Sequence, residues 1–196
     1  MNILGKGGES ESLFFRAKEY VFESRRFIFI VLLIFLVFVV LGFIFGSAFS
    51  NILDPQLKKI IDETKYLEGF SLIAFIFMNN GKVALMGLFF GVVLGIFSVL
   101  SMSANGFVIG YVLKRVFDMS GITEFWRLFP HGIFELPAIF ISFGLGLKLG
   151  MFIFNERKAD TLKDRLFLSL LAYIFVILPL LALAAIIEGS LISFMK

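Results

Sequence analysis

The sequence predicts an all-α protein, a polytopic transmembrane helical bundle of about five spans. Hydrophobic residues make up 59% of the 196 residues, whereas soluble domains average roughly 45–50%. Phe accounts for 28 residues, far more than Trp (1) or Tyr (4). Phe tolerates full immersion in lipid, while Trp and Tyr prefer the membrane interface. Apolar runs of about twenty residues, the length that crosses a bilayer, alternate with short charged segments.

Composition also narrows the function. The formal net charge is only +3, and the basic residues are spread over several loops. That distribution is typical of membrane topology signals and provides no surface for nucleic acid. The chain has no cysteine, which excludes thiolate metal sites and cysteine nucleophiles. HExxH, P-loop and GxSxG signatures are absent from the sequence. We therefore predict a protein that is not an enzyme, with no cofactor and no metal.

The first 26 residues are predicted to form a cytoplasmic amphipathic segment. Apolar residues such as Leu13, Ala17 and Val21 recur there at roughly helical spacing. This pattern is typical of a helix that lies on a membrane surface.

Residues 27–196 are predicted to form a single transmembrane domain. A rise of ~1.5 Å per residue lets a run of about twenty residues cross a ~30 Å hydrocarbon core. The first apolar run begins too late and is too long for a cleavable signal, so it is a retained anchor. The predicted spans cover about 27–48, 83–102, 106–117, 133–154 and 166–187.

The segment between the first two spans is predicted to lie at the membrane interface. Residues 50–67 carry an apolar stripe opposite charged residues, as an interfacial amphipathic helix does. Residues 68–78 are apolar but too short to span. Asn79-Asn80-Gly81-Lys82 then predicts a break.

The number of spans depends on Asn105-Gly106. If this dipeptide is a tight turn, the chain reverses there and makes five spans, and if it interrupts one long helix there are four. We predict five, because an Asn-Gly pair is a good turn former. Counting basic residues on the two sides of the membrane barely separates the alternatives.

Spaced glycines predict close helix packing. Gly87, Gly91 and Gly95 follow a small-xxx-small pattern in the second span, and Gly146 and Gly150 follow it in the fourth. Such faces let helix backbones approach closely in a membrane.

The main candidate site lies where the fourth span begins. His131 and Glu135 are one helical turn apart, and Pro130 and Pro137 bracket them with Gly132 between. Pro is favourable at a helix start, but an internal Pro lacks an N–H and collides with the preceding turn. The sequence therefore predicts a kinked or re-entrant helix over 130–137.

Several roles remain open for the His131–Glu135 pair. Ionisable groups are expensive in a bilayer, so they usually serve a site or a helix contact. The pair is suited to proton sensing, to ligand contact or to one half of a metal site. A metal is less favoured, because His131 is the only imidazole. The alternative is a hydrogen bond that locks the kink.

Three further polar residues are predicted to join this pair in a ligand-binding or structural polar core: Asn80, Asn105 and Glu188. Amides between helices form interhelical hydrogen bonds, although helix caps and turns are the alternative for them. Glu188 has the alternative of lying at the headgroups. Lys148, in the fourth span, is expected to extend its ammonium group towards water.

These motifs resemble the stage II sporulation protein M family. The resemblance covers about Phe27 to Glu188, and its most specific part is the Pro-His-Gly-x-x-Glu run. The matching residues, in order, are Asn79-Asn80, Asn105-Gly106-x-x-x-Gly110, Pro130-His131-Gly132-x-x-Glu135-x-Pro137, Gly144-x-Gly146 and Glu188. The resemblance implies a five-span membrane protein. In spore formers, the named member anchors and organises two peptidoglycan-degrading partners.

Two classes of function follow. Short loops and small-xxx-small faces favour a non-enzymatic scaffold, a component of a cell-envelope or export complex. The alternative is a small transporter or channel that uses a broken-helix site at His131 and Glu135. The expected partners are the lipid bilayer and either further copies of the chain or other membrane or envelope proteins, without nucleic acid. The expected location is the cell membrane, with the N-terminus in the cytoplasm.

Overall fold

Helices form the whole bundle in the computed structural model, which describes residues 6–93, 95–121 and 129–195. At 6–11, 129–132 and 192–195 only the backbone is described. The α-helices are α1 (Lys6–Glu23), α2 (Arg25–Phe45), α3 (Ser50–Thr64), α4 (Gly69–Phe89), α5 (Ile96–Ser120), α6 (Phe129–Gly150), α7 (Lys158–Ala172) and α8 (Leu178–Met195). Short 3₁₀ segments extend α2, α4 and α6, and a π-helical turn, Tyr173–Ile177, joins α7 to α8.

Five helical stretches in the described residues are long and apolar enough to cross a membrane. This confirms the predicted all-α fold and its five spans, and the chain is a multi-pass membrane protein. The first stretch continues through the 3₁₀ turn Gly46–Phe49 into the amphipathic helix α3. The stretches are Arg25–Thr64, Gly69–Val92, Ile96–Ser120, Ile133–Phe154 and Lys158–Leu191.

The predicted boundary between the second and third spans is wrong. Helix α4 begins at Gly69 and runs without a break through Asn79–Lys82, so the segment judged too short is the first half of a span. The chain reverses after α4 instead, where Gly95 adopts a left-handed φ of 68° and its N–H donates to the carbonyl of Gly91, 2.7 Å away. Glycine takes that conformation without strain.

The turn predicted at Gly106 is also wrong, because Asn105-Gly106 lies inside α5. Packing explains the glycine: a Cβ on Gly106 would lie 2.6 Å from the carbonyl oxygen of Phe35, and a Cβ on Gly110 would overlap the carbonyl of Val39. Local turn preference yields here to a tertiary contact that only a residue without a side chain allows.

Helices α2 and α5 form the most extensive helix pair of the bundle. Two further glycines, one in α2 and one in its 3₁₀ extension, face α5 in the same contact. A Cβ on Gly42 would overlap the carbonyl of Phe107, and one on Gly46 would lie 2.8 Å from the Tyr111 ring. The sequence analysis missed this second GxxxG face, because the glycines stand in an otherwise uninterrupted apolar run.

Helices α4 and α6 also meet backbone to backbone. A Cβ on Gly91 would overlap the backbone of Gly146, and one on Gly87 would lie 2.5 Å from the ring of Phe143. Gly150 is buried at the end of α6. We call the end of the bundle that holds Gly95 and Gly150 the Lys148 end, and the opposite end the Glu188 end.

The predicted re-entrant or broken helix at 130–137 does not occur. Helix α6 is continuous from Phe129 to Gly150, with Pro137 inside it. Pro130 is the second residue of the helix, where the missing N–H costs no hydrogen bond. Pro137 is exposed, which gives its ring room, while α4 and α8 pack along the rest of the helix. A bend without a break at Pro137 remains a prediction.

Replacing Gly42 with Ala should destabilise the protein, because the new methyl group meets the backbone of α5. Overpacking costs about 1–3 kcal/mol. The matched control is Gly81→Ala in α4, whose Cβ would make an ordinary 3.5 Å contact with Tyr173. Fluorescence-detected size-exclusion chromatography after heating should show a lower melting temperature for Gly42→Ala alone. Equal melting temperatures would contradict the packing argument.

Candidate binding cavity

A cavity of about 520 Å³ lies towards the Glu188 end, between α3, α4, α5, α6 and α8. Most of its wall is apolar, with side chains such as Ile76 and Leu136. The polar side chains of the wall are Thr64, Asn79, Asn80, Glu135 and Glu188. The cavity is thus a largely hydrophobic space into which two carboxyl groups project, and it lies within the thickness of the membrane-spanning bundle.

The two carboxyl groups reach the cavity from different helices. Glu135 lies in the second turn of α6, and Glu188 lies in the last two turns of α8. Both are partly buried, and they are close enough for their charges to interact. A carboxylate in apolar surroundings is costly unless hydrogen bonds or an opposite charge compensate it. The arrangement suits a group that donates hydrogen bonds or carries positive charge.

Amide side chains of α4 supply another part of the wall. Asn79 and Asn80 lie in the middle of α4, and the Asn79 amide nitrogen donates to the Asn80 amide oxygen at 3.3 Å. The break predicted at these residues is replaced by a continuous helix that carries them to the cavity. Amides both donate and accept hydrogen bonds, so this wall complements carboxyl groups and ligand polar groups alike.

Helix α3 covers the cavity with Ile60 and Thr64. It is attached to α5 at Asp54. The Tyr111 hydroxyl donates to Asp54 Oδ1 at 2.6 Å, and Arg115 Nη1 lies 3.7 Å from Asp54 Oδ2. One carboxylate therefore fixes the covering helix to the bundle.

Towards the Lys148 end the bundle is closed. Ser142 Oγ donates to the Ala84 carbonyl at 2.6 Å, and Ser98 Oγ donates to the Gly87 carbonyl at 2.9 Å. Phe143 fills the space beside them and is almost fully buried. The cavity therefore opens towards one half of the membrane and meets tightly packed helices in the other half.

Two predicted core residues lie elsewhere or outside the described side chains. Asn105 is exposed on α5 and does not line the cavity. The backbone of His131 lies in the first turn of α6, four residues before Glu135, but its side chain is outside the described part. The His131–Glu135 contact remains a prediction. Among the described residues, no three His, Cys, Asp or Glu side chains converge as metal ligands.

A second polar cluster, at Lys148, was missed by the sequence analysis. The Lys148 side chain is only 12% exposed, so it does not simply extend into water. Its Nζ donates to Ser24 Oγ at 2.9 Å and lies 3.8 Å from the centre of the Tyr20 ring. Glu23 Oε2 is 3.7 Å away. The cluster joins α6 to the junction between α1 and α2.

Helix α7 completes this cluster. Arg165 Nη1 donates to the Lys148 carbonyl at 2.6 Å, and the Tyr20 hydroxyl is buried beside Ser169. Burial raises the pKa of the Tyr20 phenol. The sequence signal for the cluster was a single lysine in an apolar span, but nothing in the sequence showed which helix faced it.

Replacing Lys148 with Met should release α1 from the bundle. Loss of a hydrogen bond to a charged group costs about 1.5–3 kcal/mol, so trypsin should cleave at Arg16 and Lys18 faster, by about tenfold or more. The control is Lys163→Met, which removes an exposed lysine of α7. Equal cleavage rates in the two variants would show that the Lys148 cluster does not hold α1.

Sequence comparison finds known proteins that are similar to this chain. A family model described as "Stage II sporulation protein M" matches residues 31–191. Two uncharacterized proteins of Methanocaldococcus jannaschii are similar in sequence. One is 26% identical over 172 residues, covering 84% of this chain and 77% of the relative. The other is 27% identical over 154 residues, covering 70% and 83%. No solved structure matches the chain.

Proposed function

Since the chain belongs to the stage II sporulation protein M family, we propose that it is a non-enzymatic binding component of a cell-envelope or export complex. Its cavity holds a positively charged or hydrogen-bond-donating group of a partner or ligand. The observation that carries this proposal is the pair Glu135 and Glu188 in a mostly apolar cavity.

Energetics favour an occupant for this cavity. Glu135 senses the charge of Glu188 in apolar surroundings, which makes its ionised carboxylate costly. A cationic group between them offsets both the desolvation and the mutual repulsion. The amides of Asn79 and Asn80 orient the polar part of the occupant, and the apolar wall takes its hydrocarbon part.

Transport is the second candidate function, because a cavity with polar groups inside the bundle also suits the binding of a solute. A transporter needs a site near the membrane midplane that opens alternately to each side. Here the Lys148 end is closed by backbone contacts between Gly91 and Gly146, and α6 has no break at its prolines. Binding without conduction therefore fits the geometry better.

Removing the charge of the cavity tests the binding role. In Glu135→Gln and Glu188→Gln, the amount of the stoichiometric partner or ligand that co-purifies with the wild type from native membranes should fall by about a hundredfold or more, as for loss of one member of a buried charge pair. Quantitative mass spectrometry measures it. Glu63→Gln, on the exposed face of α3, is the control and should leave binding unchanged.

Two outcomes would count against the binding role. A wild-type chain that always purifies alone, with no self-association, would reject it. A solute flux in reconstituted vesicles that disappears in Glu135→Gln would establish the transport function instead.

We further propose that the protein lies in the cell membrane with its Lys148 end in the cytoplasm. Basic residues flank the membrane there, at Arg25-Arg26 and over 157–165, and such residues are enriched on the cytoplasmic side. The cavity then lies in the half of the membrane that faces the cell exterior.

The absence of native cysteine makes this orientation testable. Lys59→Cys in α3 should react with a membrane-impermeant maleimide on intact cells, whereas Lys163→Cys in α7 should react only after lysis. The reverse labelling pattern would invert the topology, without affecting the cavity.

A further inference from the structure

Lys82 lies on an exposed face in the middle of α4. The membrane-spanning stretch runs from Gly69 to Val92, so the lysine is at least ten residues, or ~15 Å, from either end. A lysine side chain reaches only about 6 Å, too little to bring its ammonium group to the headgroups from there. Among the described residues, no carboxylate of the chain forms an ion pair with it.

A second polar residue lies on the neighbouring helix α5 at nearly the same depth as Lys82. The hydrogen bond from Ser98 Oγ to the Gly87 carbonyl fixes the register of α5 against α4. From that level Lys82 is five residues, or ~7.5 Å, towards the Glu188 end, and Asn105 is seven residues, or ~10.5 Å, in the same direction. Asn105 is exposed as well.

Both residues adjoin the rim of the cavity. Asn79 lines the cavity and is exposed one turn before Lys82, while Ile109 lines it and is exposed one turn after Asn105. The exposed surface around Lys82 and Asn105 is therefore continuous with the cavity mouth. We call this surface, formed by Asn79, Lys82, Asn105 and Ile109, the Lys82 face.

A charged and an amide side chain do not favour hydrocarbon as their neighbour. A cation at this depth normally pairs with a carboxylate, contacts backbone carbonyls or lines a water-filled space. An occupant of the Lys82 face that brings a carboxylate to the middle of the membrane satisfies the first of these conditions.

The chain itself supplies a carboxylate at the required depth. The contact between Gly91 and Gly146 sets a common level for α4 and α6. Lys82 lies nine residues, or ~13.5 Å, from that level, and Glu135 lies eleven residues, or ~16.5 Å, from it on the same side. Both side chains tilt towards the Glu188 end, where α4 and α6 begin, and the longer side chain of Lys82 closes the remaining ~3 Å.

We propose that the Lys82 face binds a second copy of this chain, in which the Lys82 ammonium group of each copy enters the cavity mouth of the other and pairs with Glu135 of the partner subunit. A two-fold axis along the membrane normal preserves depth, so the two pairs form together. The proposal rests on the proposed function in one respect: it takes the cavity to be a site for a cationic group, and it names that group.

Fluorescence energy transfer between labelled copies in phosphatidylcholine vesicles tests the proposal. Energy transfer in the wild type should fall reversibly as the vesicles are diluted with lipid, which gives an association constant. Lys82→Met should lower that constant by about tenfold or more, as expected when one member of a buried charge pair is removed. The control is Lys59→Met, which removes an exposed lysine of α3 that pairs with Glu63, and this variant should associate like the wild type.

Thiol cross-linking tests the geometry, since the chain has no native cysteine. A short bis-maleimide replaces the two side chains of the ion pair, because a direct disulfide needs Cα atoms closer than a Lys–Glu pair brings them. One tagged copy carries Lys82→Cys and a differently tagged copy carries Glu135→Cys. The bis-maleimide should join the two tags, whereas Lys59→Cys with Glu135→Cys should not be joined.

Three results would overturn the proposal. These are a wild type that stays monomeric at every dilution, a Lys82→Met variant that associates as strongly as the wild type, or no joining of the two tags. Lipid or a different protein would then cover Lys82. If Glu135→Gln still lost a co-purifying ligand in that case, the proposed function would stand and only the second copy would be rejected.

Discussion

Close approach of helix backbones is the constraint on which the rest of the structure depends. Lipid tails are as apolar as the side chains of the spans, so helices associate through packing and hydrogen bonds rather than through a hydrophobic driving force. At Gly91 and Gly146 no side chain intervenes between α4 and α6. Hydrogen bonds from Ser98 and Ser142 to α4 carbonyls fix the register. That register determines which residues of α6 reach the cavity, and it closes the bundle on the other side.

The fold class and the number of spans could be predicted from the sequence, because both follow from apolar content and the length of a bilayer-crossing helix. The bounds of two spans could not. Asn79–Lys82 and Asn105-Gly106 have the composition of turns, yet both lie inside helices. Turn propensity depends on neighbouring residues in the sequence, whereas Gly106 is needed because the backbone of α2 approaches it closely. A sequence shows a glycine without showing whether it serves a bend or a contact.

The candidate site, too, could be predicted from the sequence only in part. Asn80, Glu135 and Glu188 attracted notice as polar residues in apolar surroundings, and the structure places all three around one cavity and Asn105 outside it. Lys148 has the same sequence signature as a lysine that reaches water, but Ser24, Glu23 and the Tyr20 ring surround it. Depth and partners of a charged residue depend on the rotation of its helix, which periodicity in a uniformly apolar span does not define.

The attachment of α3 through Asp54 bears on how an occupant arrives at the cavity. A solute coming from water meets α3, which is held to α5 because the Asp54 carboxylate accepts a hydrogen bond from Tyr111 and faces Arg115. Asn79 and Ile109, in contrast, are exposed between α4 and α5 on the lipid side. The concentration that governs occupancy is then the one within the bilayer, where amphiphiles and other membrane helices are enriched far above their level in solution.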